Sequence, residues 1–283
     1  MTISLLICLS SAIASWQLIL RLMPIFKKNL VDVPNDRSSH NLPTPRGGGI
    51  TFVLITNIVS IGSALFMKSW NPMYYLSLIC TPLAFIGLID DRLGLPASWR
   101  YGGQILTSIL LIKINSLIIF KNSSLEEILF LTIILITLTA LINFINFMDG
   151  LDGLVAGCLI VSLFIPALIL TNTLPIWSLI GSLIGFLYWN WSPSKIFMGD
   201  VGSTFLGAFF GGVVLQSSNS YQALGLLLIL FPLLSDAFLC VIRRLVSGQN
   251  IFQAHRLHLY QRLYLAGWSK SQVATSYITA SIL

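Results

Sequence analysis

The chain has 283 residues, of which 55% are hydrophobic and only 9% are charged, and its formal net charge is +6. Soluble domains carry roughly 25% charged residues, so this composition excludes an ordinary soluble protein and indicates an integral membrane protein. A mean hydropathy of +0.86 points the same way.

Ten apolar segments follow one another along the chain, separated by short polar stretches. Most of them reach the roughly 17 to 25 residues that a membrane-crossing helix needs. We therefore predict an all-α, polytopic membrane protein with about ten transmembrane helices, folded as a single integral-membrane domain over residues 1–283. The predicted spans are 3–23, 50–67, 73–89, 102–120, 128–147, 153–171, 174–191, 202–217, 221–242 and 263–283.

The loops between these spans indicate the orientation of the protein. Of the 16 Lys and Arg residues, all but Lys68, Lys113 and Lys121 fall on one side, which the positive-inside rule makes cytoplasmic. Both termini are then periplasmic. The first span contains Ala-Ile-Ala at 12–14, which resembles a signal-peptidase site, but basic residues follow the apolar run, so we interpret it as a retained anchor. The predicted cytoplasmic loops are 24–49, 90–101, 148–152, 192–201 and 243–262.

Two neighbouring carboxylates, Asp90 and Asp91, end the third span. A carboxylate at the bilayer centre costs about 2.5 to 3.5 kcal/mol, so the pair must lie at the membrane edge or have strong partners. Repulsion should raise one pKa, whereas a divalent cation would let both groups stay ionised. A solvated helix end held by Arg92 explains the pair equally well.

The stretch NFINFMDGLDG follows the fifth span and carries Asn143, Asn146, Asp149 and Asp152 at intervals of three. Each step of three turns an α-helix by 300°, so the first three side chains stay near one face. Asn146, Asp149 and Asp152 can converge on one site only if the helix ends near Gly150. A polar C-terminal cap is the alternative, although two carboxylates and two carboxamides exceed what a cap requires.

The stretch FMGDVGSTF places Asp200 between two glycines where the eighth span begins. An acid followed three residues later by Ser203 is also an ordinary helix start. The same helix N-terminus would offer free backbone N–H groups and a positive dipole end to a phosphate. With a metal ion on Asp200, both halves of a metal-phosphate site would be present.

Basic residues concentrate in two predicted cytoplasmic loops, 37–49 and 243–263, and the second groups His255, Arg256 and His258. Such residues serve as topology signals in many membrane proteins, and that explanation stays open here. A cationic patch facing an acidic patch would instead hold an anion between them through a divalent cation.

Five motifs in order along the chain resemble those of the polyprenyl-phosphate N-acetylhexosamine-1-phosphate transferases, the MraY/WecA-like superfamily of glycosyltransferase family 4. They are PTPRGGG, the Asp90–Asp91 pair, NFINFMDGLDG, FMGDVGS and the His-containing loop before the last span. HRLHLYQRL is most similar to the WbpL-like O-antigen initiating branch. WecA-like members carry His-x-His-His, of which only His258 is matched here, with Tyr260 and Gln261 in the other two positions.

The resemblance implies an MraY-like bundle in the bacterial inner membrane with its active site on the cytoplasmic face. It implies transfer of an N-acetylhexosamine 1-phosphate from a UDP-sugar to undecaprenyl phosphate, which releases UMP and initiates O-antigen or another surface polysaccharide. The implied cofactor is Mg²⁺ or Mn²⁺. The expected partners are the two substrates and membrane lipid, with no nucleic acid; a homodimer is left open, as is the identity of the sugar.

Motif positions carry the family's roles onto this chain. The resemblance implies Asp200 as the principal metal ligand with Asn146 beside it, and Phe197 stacked on uracil. The predicted catalytic residues are Asp90, Asp91, Asp149 and His258. The predicted substrate-binding residues are Asn146, Gly150, Leu151, Asp152, Asn190, Phe197, His255, Arg256, Thr44 and Arg46.

The chemistry ranks these acids. A phosphate monoester is largely a dianion at neutral pH, so the lipid phosphate needs little help from a general base. Repulsion between the anionic reactants is the obstacle, and a metal ion with fixed cations holds them in line. We therefore expect loss of Asp200 to remove nearly all activity and loss of Asp90 to cost less.

Two other functions stay in view. Phospho-MurNAc-pentapeptide transfer, the MraY activity, is the nearest, although the basic loop lacks that branch's consecutive His run. From another class, a membrane transporter would need intramembrane charge in interrupted helices, and Asp236 and Lys113 are the candidates for that role.

Overall fold

The computed structural model describes residues 1–34, 42–67, 70–115, 124–250 and 256–283. His255 lies outside these residues. Within them the chain forms two short strands, β1 (Val31–Asp32) and β2 (Thr44–Pro45), which pair antiparallel. The helices are α1 (Thr2–Asn29), α2 (Gly49–Met67), α3 (Pro72–Leu93), α4 (Ala97–Ile114), α5 (Leu125–Met148), α6 (Leu154–Ile169), α7 (Leu174–Asn190), α8 (Asp200–Leu215), α9 (Ser220–Ile229), α10 (Phe231–Val246), α11 (Leu259–Leu265) and α12 (Lys270–Ile282).

The helices confirm an all-α, membrane-integral protein. In the described ranges, α1, α2, α3 and α5 are long and apolar enough to cross a membrane, and α9 with α10 adds a fifth span if that bent pair counts as one. Three shorter apolar helices, α6, α7 and α8, have 16 or 17 residues. The total of ten spans and the periplasmic termini stay predictions.

Helix α8 forms the centre of the bundle, because every residue from 201 to 214 is buried. Its glycines let neighbouring helices approach closely, as small residues do in membrane bundles. A Cβ on Gly207 would lie 2.6 Å from the Cα of Ile142 in α5, and one on Gly212 would lie 2.1 Å from a methyl of Leu76 in α3. The first residue of this central helix is Asp200, so the packing of α8 fixes the position of that carboxylate.

The predicted ninth span, 221–242, is wrong as a single helix. Helices α9 and α10 meet at Leu230 with a bend of 82°. Pro232 lies in the first turn of α10, and a proline there lacks the N–H that a continuous helix would use and disfavours helical geometry in Phe231.

The predicted tenth span, 263–283, also begins too early. Helix α11 ends at Leu265, Gly267 adopts a positive φ of 99°, and α12 begins at Lys270. Ser269 and Gln272 form a reciprocal capping box that starts α12. The 13 residues of α12 are fewer than the roughly 17 that a perpendicular crossing needs.

Two predicted cytoplasmic loops are shorter than expected. The stretch 90–101 is helical apart from residues 94–96, because Gly94 ends α3 in the left-handed conformation and donates its N–H to the carbonyl of Asp90 at 2.9 Å. The stretch 24–49 begins inside α1, which runs to Asn29. Asp90 and Asp91 therefore lie in the last helical turn of α3, where both side chains are held by the helix.

Candidate active site

A cavity of about 310 Å³ opens where α3, α4, α5, α8 and α10 meet the start of α11. Four predicted site residues line it although they are far apart in sequence: Asp90, Asn146, Asp200 and His258. Its wall also contains polar side chains to which the sequence had assigned no role in the site, namely Arg100, Tyr101, Gln104, Asn143, Thr204 and Gln261.

Asp91 lies beside this cavity and caps α8. Its carboxylate accepts the N–H of Asp200 at 3.0 Å and the N–H of Val201 at 3.2 Å. The next two N–H groups of α8, those of Gly202 and Ser203, donate to the carbonyl of Gly199. The expectation that this helix offers free N–H groups to a phosphate is therefore wrong, since the protein's own groups occupy them.

Two glycines allow Asp91 to reach α8. A Cβ on Gly87 of α3 would lie 2.5 Å from the carbonyl oxygen of Asp200, so only glycine lets the two helices meet here. Gly199 has a φ of 73°, and a Cβ on it would lie 2.4 Å from an oxygen of Asp91. Gly199 of the FMGDVGS motif therefore serves close packing of the α3 carboxylate against the start of α8, whereas Gly202 packs against Gly49 and Phe52 of α2.

Asn146 supports Asp200 from α5. Its Nδ2 donates to Oδ1 of Asp200 at 2.8 Å and to the hydroxyl of Ser203 at 2.8 Å. The amide nitrogen, rather than the amide oxygen, therefore faces Asp200. In this arrangement Asn146 orients the carboxylate and does not present an oxygen to the same point.

Asp90 is fixed on two sides. One carboxylate oxygen accepts the N–H of Leu95 at 2.5 Å, and the other lies 3.3 Å from Nη1 of Arg100. The side chains of Asp90 and Asp200 are within hydrogen-bonding reach of each other. The side chain of Arg100 is 45% exposed, so its ion pair with Asp90 is partly solvated and its positive charge stays accessible at the cavity.

Asp149 follows the last residue of α5 and does not belong to the cavity lining within the described ranges. Burial raises the pKa of Asp149 well above its usual range, and the negative charges of Asp200, Asp91 and Asp152 raise it further. The carboxyl groups of Asp91, Asp149, Asp152 and Asp200 are therefore close enough to influence one another, and a bound cation would favour their ionised forms.

Asp152 and Asn190 hold loops together. The buried carboxylate of Asp152 pairs with Nζ of Lys270 at 3.1 Å and accepts the N–H of Ser194 at 3.2 Å. Asn190 accepts the N–H of Gly153 at 3.0 Å and donates to the carbonyl of Ile196 at 2.8 Å. Both side chains connect the turn after α5 to the segment before α8, outside the cavity lining.

The other residues of that turn pack against the His258 segment and the core. Leu151 is buried. Gly150 lies against Tyr260, because a Cβ there would come within 2.2 Å of the phenolic oxygen. The same hydroxyl donates to the carbonyl of Phe147 at 3.3 Å, so Tyr260 fastens the start of α11 to the end of α5.

The segment around β2 packs behind the start of α8. Phe197 donates its N–H to the carbonyl of Pro45 at 2.8 Å and accepts the N–H of Gly48 at 2.9 Å. Arg46 donates to the backbone carbonyl of Asp91, and its Nε lies 3.8 Å from that residue's carboxylate. Thr44 is buried and donates its hydroxyl to the carbonyl of Leu42. Thr44, Arg46, Phe197 and Arg256 all lie outside the lining of the cavity, as far as the described chain shows.

Sequence reasoning missed an amide pair in the cavity wall. Gln104 and Asn143 exchange two hydrogen bonds, of 3.1 and 2.7 Å, between α4 and α5. The sequence did contain a signal for them: both are polar residues within apolar helices, and such side chains face the bundle interior or a cavity. Arg100 gave a weaker signal, since a basic residue near a predicted loop is explained equally well by topology.

The donor groups in the cavity suit a hard divalent cation. Asp90 and Asp200 supply carboxylate oxygens, and Mg²⁺ typically binds one or two protein carboxylates while keeping waters or substrate phosphates. The parts of the chain that the structure describes contain no group of three or more His, Cys, Asp or Glu side chains arranged to hold a metal. The described residues therefore do not form a metal site made of protein ligands alone.

Comparison with known proteins gives a consistent family assignment. The family model described as "Glycosyl transferase family 4" matches residues 73–218, which include the Asp90–Asp91 pair, NFINFMDGLDG and FMGDVGS. The chain is 28% identical to a decaprenyl-phosphate N-acetylglucosaminephosphotransferase of Mycobacterium leprae, covering 86% of this chain and 72% of that protein. It is 29% identical to a probable undecaprenyl-phosphate N-acetylglucosaminyl 1-phosphate transferase of Bacillus subtilis (91% and 77% covered) and 27% identical to a phospho-N-acetylmuramoyl-pentapeptide-transferase of Staphylococcus saprophyticus (85% and 82% covered).

Proposed function

Because the chain belongs to glycosyl transferase family 4, we propose that it transfers N-acetylhexosamine 1-phosphate from a UDP-sugar to undecaprenyl phosphate, with release of UMP. The products are UMP and an undecaprenyl-diphosphate-linked sugar, which starts O-antigen or another surface polysaccharide. The relatives named as polyprenyl-phosphate sugar-phosphate transferases support the reaction class.

The observation that carries the proposal is the convergence of Asp90, Asn146, Asp200 and His258 on one cavity. These residues come from α3, α5, α8 and the segment before α11, so no local structural need brings them together. A scaffold or transporter would not require two carboxylates, an amide and an imidazole around one space at the end of several helices. A phosphoryl-transfer site requires acidic metal ligands together with groups that bind phosphate.

Each lining residue has a role that follows from its chemistry. Asp200 and Asp90 would hold Mg²⁺ or Mn²⁺, and the bound ion supplies charge neutralisation and alignment of phosphate oxygens. Asn146 keeps the Asp200 carboxylate in one orientation through its 2.8 Å hydrogen bond. Arg100 and His258 offer N–H donors to phosphate oxygens.

The acceptor needs no strong base in this scheme. Its phosphate is largely a dianion near neutral pH, so it is already nucleophilic when held in line with the donor diphosphate. Asp90 accepts from Leu95 and pairs with Arg100, which makes it a fixed negative charge in the wall. Its role is then to hold the ion and Arg100 rather than to remove a proton.

The test is a reconstituted reaction with purified full-length protein in detergent. The reaction contains Mg²⁺, undecaprenyl phosphate and one member of a panel of UDP-N-acetylhexosamines, and it is followed by UMP release and mass spectrometry of the lipid. We expect UMP and a lipid diphosphate sugar in equal amounts. Omission of the lipid acceptor is the control and should abolish UMP release.

Two results would contradict the proposal. Absence of UMP release with every donor, from protein that remains folded and monodisperse, would remove the transferase activity. Product formation from UDP-MurNAc-pentapeptide but from no simple UDP-N-acetylhexosamine would assign the activity of the Staphylococcus relative instead.

A further inference from the structure

Asp236 of α10 is a buried carboxylate, 6% exposed, that no motif of the sequence assigns to the site. It accepts the N–H of Leu259 at 2.6 Å, the N–H of Tyr260 at 3.1 Å and the hydroxyl of Tyr277 at 2.7 Å. Nδ1 of His258 lies 3.7 Å from the same carboxylate. A buried carboxylate is costly unless it is paired and hydrogen-bonded, and here four groups surround it.

These partners concentrate on one short segment. His258, Leu259 and Tyr260 are consecutive, so the carboxylate holds two backbone N–H groups and one imidazole of the same turn. The ring of His258 stacks on Tyr260 with centroids 5.6 Å apart and an interplanar angle of 22°. With Nδ1 directed at Asp236 and one face against Tyr260, the imidazole has little freedom to rotate.

Asp236 does not itself reach the candidate active site. Together with Tyr277 it lines a second cavity of about 410 Å³ bounded by α10, α11 and α12. His258, in contrast, lines the cavity of Asp90 and Asp200 and is 4% exposed. Any influence of Asp236 on reacting groups must therefore pass through the His258 segment.

We propose that Asp236 is a positioning residue that fixes the His258 imidazole in the wall of the transferase cavity, with Tyr277 holding the carboxylate from α12. His258 lines the cavity, and in its protonated form, in which both ring nitrogens carry a hydrogen, it would bind a phosphate oxygen there. A neighbouring carboxylate of this kind fixes the orientation of a functional histidine ring. The inference rests on the proposed function, since it assigns His258 a phosphate to bind.

The experiment measures kcat and the donor KM by UMP release for Asp236→Asn, Tyr277→Phe, His258→Gln and the double variant Asp236→Asn/His258→Gln. Glu126→Gln and Tyr221→Phe are the matched controls, because both side chains are exposed and distant from the site. We expect Asp236→Asn to lower kcat by roughly tenfold or more, the usual cost of losing such a partner. The Mg²⁺ requirement should stay unchanged, and the double variant should lose no more than His258→Gln alone.

The outcomes are distinguishable. Active wild-type protein together with an Asp236→Asn variant of normal kcat overturns the inference and leaves the proposed function intact. A double variant that loses more than His258→Gln, or a loss that appears as a raised Mg²⁺ requirement, also overturns it, because Asp236 would then act by another route. Wild-type protein that releases no UMP overturns both. If Asp236→Asn is not recovered folded, Tyr277→Phe decides by the same criteria, with a smaller expected loss of kcat.

Discussion

The carboxylate of Asp91 on α3 accepts the backbone N–H of Asp200 on α8 at 3.0 Å. One acid thus fixes the backbone of the other, and Asn146 fixes the side chain of Asp200 from a third helix. The position of Asp200 is therefore determined by packing between α3, α5 and α8, with Asp91 outside the cavity lining and Asp200 inside it.

Asp91→Asn should weaken the fold more than the chemistry. The substitution removes the charge from a carboxylate that caps α8 through two backbone N–H groups, and hydrogen bonds to charged groups contribute about 1.5 to 3 kcal/mol each. We expect a lower thermal unfolding midpoint for the purified protein in detergent. Glu126→Gln is the control and should not shift it.

A contrary result for Asp91 would be informative. An unchanged unfolding midpoint combined with a higher Mg²⁺ requirement would return Asp91 to the catalytic role that its motif position predicted.

Asp200→Asn should abolish most turnover while leaving the α8 cap in place, because the cap uses the backbone of residue 200 and not its side chain. Loss of a metal ligand removes several kcal/mol of transition-state stabilisation, so kcat should fall by roughly a hundredfold or more. The measurement is UMP release across an Mg²⁺ titration. Normal turnover at ordinary Mg²⁺ would refute the assignment.

Arg100→Gln should raise the KM for one of the phosphate-bearing substrates. Arg100 lines the cavity and pairs with Asp90, and a tenfold rise in KM would correspond to about 1.4 kcal/mol of lost binding. Steady-state kinetics with donor and acceptor varied separately would show which substrate it binds. Arg92→Gln, at an exposed residue in the last turn of α3, is the control, and an equal rise in KM there would mean a general surface charge effect.

Lys270→Met should destabilise the protein strongly. It leaves the buried carboxylate of Asp152 without its ion-pair partner, and breaking a buried pair by removing one member costs about 3 to 5 kcal/mol. The double change Asp152→Asn/Lys270→Met should recover part of the unfolding midpoint because it removes the unpaired charge. Equal midpoints for the single and double variants would show that the pair contributes little.

Asp152 also keeps its predicted substrate-binding role as a testable alternative. If the double variant recovers stability but shows a much higher donor KM, the side chain serves the nucleotide as well as the loop.

The motifs located the polar end of the bundle because polarity is costly in apolar helices. Asp90, Asn146 and Asp200 border apolar runs and His258 belongs to the basic loop, and the family resemblance assigned all four to the site. All four line the cavity. Asp149 and Asp152 belong to the same motif as Asn146, NFINFMDGLDG, yet they lie outside that lining. Helix α5 ends at Met148, and the turn that follows directs Asp152 toward Lys270.

The helices, too, were predictable from sequence in part only. The existence and apolar character of most helices follow from hydropathy, whereas the break at Leu230 depends on a single proline whose effect is local. Arg100 was counted only as a topology signal, because its role follows from α4 beginning at Ala97 and bringing the guanidinium to Asp90.

By itself the sequence determined that the protein lies in a membrane, that it is helical and where its acidic motifs are. In lipid the backbone N–H and C=O groups must bond to each other, which favours helices, and charged side chains are costly, which leaves few places for them. Tertiary structure alone decided which carboxylate enters the cavity and which one supports a neighbour. Adjacent residues such as Asp90 and Asp91 point in directions about 100° apart on a helix, so the packing of α8 against one of them separates their roles.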